Sequence, residues 1–247
     1  MAAIIPFTLV VPYKDEQAGK KVQVAKMFDN ISHRYDFLNH FLSLGIDIHW
    51  RRKAIRFLKP FAPREILDVA TGTGDFAIEA LALKPEHITG VDISEGMMEH
   101  GRQKLSARGL DKAISLLYGD SENLPFDQNK FDAVIVAFGV RNFENLEKGL
   151  SEIRRVLKPE GHLVVLEFSK PTAFPFKQLY QFYFRFILPL IGKVISKDNS
   201  AYTYLPESVQ AFPDGQRFLE ILGKTGYQNN QCKPLTFGIC SMYTAQK

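Results

Sequence analysis

The spacing of hydrophobic residues changes character at about residue 64. Before it, Val24, Met27, Phe28, Ile31, Tyr35, Leu38 and Leu42 recur at intervals of three and four, the period of one helix face. After Gly45 a second helix carries Trp50, Ile55 and Leu58 and ends near Pro60. From residue 64 onward short apolar runs alternate with amphipathic segments. "EILDVA", "HITGVDIS", "ISLLYGD", "FDAVIVAFG" and "GHLVVLEFS" read as strands, with "DFAIEALAL", "GMMEHGRQKLSARG" and "LEKGLSEIRRVLK" as the helices between them. Near-continuous runs such as Val134-Ile135-Val136 suit strands covered on both faces. The alternation predicts an α/β fold with a doubly wound, mostly parallel sheet. "DGQRFLEILGKTGY" adds a helix, and "QNNQCKPLTFGICSMYTAQK" closes the chain as an antiparallel hairpin.

Composition narrows this little. The 247 residues, 45% of them hydrophobic and 23% charged, suit an ordinary soluble protein of one large domain, or of one domain with an appended lobe. The expected division is an N-terminal arm and helical cap over 1–60 and a main domain over 61–247, with an aromatic-rich insert at 172–200. Cys232 and Cys240 lack C-x-x-C spacing and read as reduced thiols in a cytoplasm. The six histidines form no H-x-x-x-H pair, so no metal is expected. A net charge of +4 does not imply nucleic acid. The basic run Arg51-Arg52-Lys53 reads as a solvated helix face, and His49 and Trp50 as packing residues. "MAAIIPFTLVVPYKDE", broken by Pro6 and Pro12, reads as an extended arm and not as a signal peptide.

The first strand runs into a glycine turn, "ATGTGDFA", which satisfies the G-x-G-x-x-G/A fingerprint. A dehydrogenase binding NAD and a methyltransferase both remain open there. Asp92, 20 residues after Gly72 at the end of the second strand, can accept both hydroxyls of an adenosine ribose in either. Three features favour a methyl donor. Asp68 stands inside the strand before Gly72 and Gly74, where a buried carboxylate suits turn amides and a cationic ligand. Asp120, in "YGDSENLPF", can accept from an adenine amino group. "FDAVIVAFGVRN" follows so closely that no second mononucleotide-binding half fits.

"LDVATGTGD", "GVDIS", "GDSENLPF" and "RRVLKPEGHLVVLEFSKP" resemble class I S-adenosylmethionine-dependent methyltransferases. "YDFLNHFLSLGIDIHWRR", "FGVRNFENLEKGL" and "VLEFSKP" resemble, more narrowly, the ubiquinone/menaquinone biosynthesis C-methyltransferases, from about residue 22 to the end. Two positions depart from that pattern. Lys158-Pro159-Glu160-Gly161 replaces a K-P-G-G turn, a change expected to be harmless, and Ala137 stands where relatives often carry serine. The resemblance implies a seven-stranded Rossmann-like sheet, S-adenosyl-L-methionine as cofactor with S-adenosyl-L-homocysteine as product, and cofactor contacts from Thr73, Asp92, Asp120 and Ser121. It also implies C-methylation of a prenylated quinol, with demethylmenaquinol expected. The polyprenyl methoxy-benzoquinol of ubiquinone biosynthesis is the alternative, and an NAD-dependent oxidoreductase or a non-catalytic adenosyl-binding module the readings from other classes.

A quinol carbon attacks a methyl group only as its hydroxyl loses a proton, so the site must supply a base or stabilise phenolate-like charge. Arg141 and Asn142 follow the fourth strand, at the edge facing the donor: Arg141 for the oxyanion, Asn142 for the ring. Tyr35, with Asp36 and Asn39, is expected to close the site from the N-terminal helices. Seven of the thirteen residues from Phe174 to Phe186 are aromatic. Lys177, Arg185 and Lys193 interrupt this stretch too often for a transmembrane span. Residues 172–196 read either as an extra core helix or as a lid over ring and prenyl chain whose outer edge makes a peripheral membrane contact. Homodimerisation stays open.

Overall fold

The computed structural model describes residues 10–14, 16–42, 45–183, 186 and 200–247, without the side chains of 34–42. Two helices lead in, α1 (Lys20–Leu42) and α2 (Ile46–Leu58). The alternating part then runs β1 (Glu65–Val69), α3 (Asp75–Ala80), β2 (His87–Asp92), α4 (Glu95–Ala107), β3 (Ile114–Tyr118), β4 (Phe131–Ala137), α5 (Leu146–Val156) and β5 (Leu157–Phe168). After α6 (Phe176–Phe182) come α7 (Ser200–Ala211), α8 (Gln216–Lys224) and the strands β6 (Gln228–Leu235) and β7 (Cys240–Gln246).

The seven strands lie in the order β3-β2-β1-β4-β5-β7-β6. β1 to β5 pair in parallel, and β7 pairs antiparallel with β5 and β6. The doubly wound sheet and the closing hairpin are therefore as the hydrophobic pattern predicts. Helices cover both faces. Leu150, Ile153 and Val156 of α5 pack with Phe218 and Leu222 of α8 on one side, against Val134, Val136 and Val165. Trp50 and Leu58 of α2, Phe76 of α3 and Leu105 of α4 pack on the other, against Ile66, Ile88 and Ile135.

Four local outcomes differ from the sequence reading. α7 was not predicted, because Pro206 lies inside it and proline reads as a helix breaker. Arg51 is buried at 5% exposure, so the basic run is not one solvated face; Arg52 remains outside and pairs with Glu79. Glu160 has φ +62°, a left-handed conformation that the glycine of a K-P-G-G turn would take without strain. The described part of the aromatic insert is not an extra core helix. Phe174, Leu179, Phe182 and Phe186 are all exposed, and Phe176 stacks on the exposed Phe237 of the far hairpin at 3.7 Å.

Candidate functional site

From β1 the chain winds outward to β2, and from β4 it winds the other way to β5, so a crevice opens above the carboxyl ends of β1 and β4. The turns that leave the two strands there are tightly constrained. Ala70 (φ +56°) and Phe138 (φ +59°) are both left-handed without being glycine, the kind of strain that collects at functional sites. Gly139 has no room for a side chain, since a Cβ there would lie 2.5 Å from that of Ala70. Gly72 and Gly74, also left-handed, complete the turn into α3.

Carboxylates flank this turn. Asp68 is 1% exposed; its Oδ2 accepts from the Thr71 hydroxyl at 2.7 Å and from the Ala77 amide at 3.1 Å. Burial pushes its carboxyl up to about 7, against those hydrogen bonds and the charge of Arg51. Asp92 accepts from the Gly72 amide at 2.8 Å and the Ser94 amide at 2.9 Å, which fixes its carboxylate toward the turn. Burial raises its pKa too, opposed by the same amides. Ser94 caps α4 by accepting from Met97.

Gly72, Asp92, Asp120, Ser121, Ala137, Phe138 and Asn142 line an open cleft. Val91, Ile93 and Met97 give it an apolar wall, and Val24 and Phe28 of α1 cover it. Of the residues expected at the site, Asp68, Thr73, Gly74 and Arg141 do not line that cleft. Asp68 and Thr73 line a smaller cavity with Arg51 and Asp75, and the two cavities share Ala70, Gly72, Ala137 and Phe138. Thr73, 3% exposed, accepts from Lys104 at 3.0 Å.

The turn that carries Arg141 and Asn142 is held from three sides. Arg141 donates through Nη1 to Glu167 at 2.7 Å and to the Phe138 carbonyl, and its amide donates to the other Glu167 oxygen at 3.2 Å. Both side chains of this ion pair are buried, at 7% and 0% exposure. Asn142 donates to the Phe138 carbonyl at 3.3 Å and accepts from the buried Tyr204 hydroxyl of α7 at 3.1 Å. Lys20, buried at the start of α1, donates to the carbonyls of Arg141 and Phe143 at 2.9 Å each. Burial and the charge of Arg141 lower the Lys20 pKa to about 8.

α1 fastens to two more loops of the crevice. Lys21 pairs with Asp120 at 2.5 Å and Glu122 at 3.5 Å, and Asp29 accepts from the Ser94 hydroxyl at 2.6 Å and the Gly96 amide at 2.9 Å. The side chains of Tyr35, Asp36 and Asn39 lie outside the described residues, as does Phe184. Sequence reasoning missed Lys20, Lys21, Asp29, Arg51, Glu167 and Tyr204. Of these only Glu167 carried a signal, a charged residue ending an otherwise apolar strand.

This floor fits an adenosyl amino acid: a fixed carboxylate at the end of β2, an apolar slot beside it, and a cavity with both charges under the glycine turn. Sheet order and site together define an S-adenosylmethionine-dependent methyltransferase. The profile of the ubiE/COQ5 methyltransferase family matches residues 15–247, and the chain belongs to that family. It is 54% identical to the demethylmenaquinone methyltransferase of Bacteroides fragilis over 98% of this chain and 99% of that one. It is 47% identical to the ubiquinone/menaquinone biosynthesis C-methyltransferase of Geotalea daltonii over 95% and 100% of the two chains. Among solved structures, the fold is shared with an S-adenosylmethionine-dependent methyltransferase of Thermotoga maritima (TM-score 0.62, 20% identity, 90% of this chain and 99% of that one). It is shared also with Haemonchus contortus phosphoethanolamine N-methyltransferase 2 (TM-score 0.57, 17% identity, 86% and 59%).

Proposed function

We propose that this enzyme methylates a ring carbon of a prenylated quinol, converting demethylmenaquinol to menaquinol. The observation that carries the substrate class is the 54% identity, over nearly both full lengths, to a relative named demethylmenaquinone methyltransferase. Bound in the cleft, S-adenosylmethionine supplies a sulfonium methyl group to the attacking carbon and is left as S-adenosylhomocysteine, while the ring loses a proton.

In this reading Asp92 holds the ribose hydroxyls, Asp120 and Ser121 the adenine amino group, and Asp68 the ammonium of the amino-acid end. Gly72 and Gly74 let the backbone approach, and Thr73 orients the amino-acid carboxylate. Arg141 faces the quinol oxygen. Its Nη1 is committed to Glu167 and the Phe138 carbonyl, while its buried Nε–H has no protein partner among the described residues. Too basic to act as an ordinary base, it stabilises the oxyanion as the hydroxyl proton leaves. Asn142, its amide oriented by Tyr204, sets the ring, and Tyr35 closes the site. The test is a single-turnover assay with the reduced naphthoquinol and benzoquinol offered separately, read as product mass and S-adenosylhomocysteine released. Methylation of the naphthoquinol is expected; methylation of the benzoquinol alone overturns the assignment.

Residues 1–60 act as arm and cap over the domain at 61–247, and the insert at 172–200 covers the substrate and meets the membrane. The exposed apolar side chains of Phe174, Leu179, Phe182, Phe186 and Phe237 support this reading, as does a stretch from Phe168 to Lys197 with five cations and no acidic residue. The proposed contact is peripheral, and no described helix is long and apolar enough to cross a membrane. Flotation with anionic liposomes tests it, with Phe182→Ser expected to weaken binding. Self-association that ignores liposomes would point instead to a homodimer through this face.

A further inference from the structure

We infer that Arg51 binds the carboxylate of the cofactor's amino-acid end, making the smaller cavity a site for both charges of that group. The inference rests on the cofactor reading above and names a ligand residue that the basic run in the sequence did not suggest. An α-amino acid carries an ammonium and a carboxylate two bonds apart, so a buried site for it needs an anion and a cation close together.

The main cleft does not offer that pair. Among the described residues, Asp92, Asp120, Glu122 and Glu144 make its lining predominantly anionic, and the lining cation, Lys21, is already bound to Asp120 and Glu122. The smaller cavity does offer it. Asp68 and Arg51 both line it, and it meets the main cleft at the glycine turn, so one ligand can reach from Asp92 into it. Arg51 reaches in from α2, with its side chain 6% exposed. Its Nη1 lies 2.9 Å from Asp47, one turn back on the same helix, and its Nη2 only 3.7 Å from Asp75, which Lys104 already holds at 2.8 Å.

Burying an ion pair between neighbours on one helix is weak evidence of a stabilising role, since apolar residues of similar size often replace such pairs without loss. Its position under the turn is instead what a ligand carboxylate requires. The charge contact to Asp47 involves Nη1 alone, and the planar fork carries further donors that can meet a ligand carboxylate.

The test uses two ligands differing only at this group: S-adenosylhomocysteine, and its decarboxylated counterpart with an aminopropyl chain. Calorimetry should show the wild type preferring the first by about 30-fold, the scale of a charge-assisted contact. Arg51→Met should collapse the preference to about threefold or less while leaving the decarboxylated ligand nearly unaffected. Because Arg51→Met removes the ion pair with the buried Asp47, Asp47→Asn/Arg51→Met, which removes both charges, is measured beside it. A preference that persists in the double variant, or equal weakening of both ligands, overturns the inference. Asp92→Ala reports separately on the underlying reading: it should weaken both ligands together by about 30–150-fold, and no effect on either would mean that the cleft does not hold the adenosyl group at all.

Discussion

The floor of the crevice and its cover are held by different kinds of contact. On the floor, Asp68 and Asp92 take their hydrogen bonds from Thr71, Ala77, Gly72 and Ser94, partners close in sequence or on the adjoining turn. In the cover, Lys20 reaches Arg141 and Phe143 across more than a hundred residues, Tyr204 reaches Asn142 across 62, and Asp29 reaches Ser94 across 65. The two floor carboxylates are thus held by their own strands, turns and adjoining helix starts, whereas the cover exists only when α1, α7 and the turn at 140–142 are assembled together. Floor changes should therefore act on cofactor affinity, and cover changes on turnover.

The largest expected effect is at Arg141. Arg141→Ala should lower turnover by about 100-fold or more, the scale of losing an oxyanion donor. It also leaves Glu167 buried without its cation, at a cost to stability of about 3–5 kcal/mol. Turnover is therefore best compared with Arg141→Met/Glu167→Gln, which removes both charges. Full activity in the double variant, or a fall in S-adenosylhomocysteine affinity matching the fall in turnover, would break the division between floor and cover.

Next comes the pH dependence of cofactor binding. With its carboxyl pushed up to about 7, Asp68 is protonated below that pH and ionised above it. A ligand ammonium needs the ionised form, so affinity should fall by up to about tenfold for each pH unit below about 7 and level off above it. Calorimetric titrations from pH 5.5 to 8.5 follow the slope, and Asp68→Asn should flatten it. A slope that survives the substitution assigns the proton to another group.

Tyr204 sharpens the comparison at the scale of one hydrogen bond. Tyr204→Phe keeps the packing and removes the donor to Asn142, and should reduce kcat by about 3–10-fold without altering cofactor affinity. Added to Asn142→Ala it should cost nothing further; multiplicative losses would mean that Tyr204 acts independently of Asn142.

The smallest effect lies away from both regions. Glu160→Gly relieves a left-handed glutamate and should raise stability by up to about 1 kcal/mol, less what the bond from Gln246 contributes. Urea unfolding measures it, and turnover should not change.

What could be read from the sequence was local. Apolar runs alternating with helical spacing determine the winding of the sheet, because each element buries a face set by its own periodicity. A glycine turn followed by Asp92 announces a nucleotide-type crevice, because left-handed backbone and a carboxylate at a strand end are properties of a few adjacent residues. The tertiary structure alone decided which charges are buried and what they face. Arg51 and Arg52 are neighbours in a basic run, yet one lies under the glycine turn and the other in solvent, because helical geometry turns successive residues about 100° apart and only packing chooses the inner face. Lys20, Glu167 and Tyr204 converge on one turn from three distant elements, and no local pattern encodes a meeting that the folded sheet and its helices bring about.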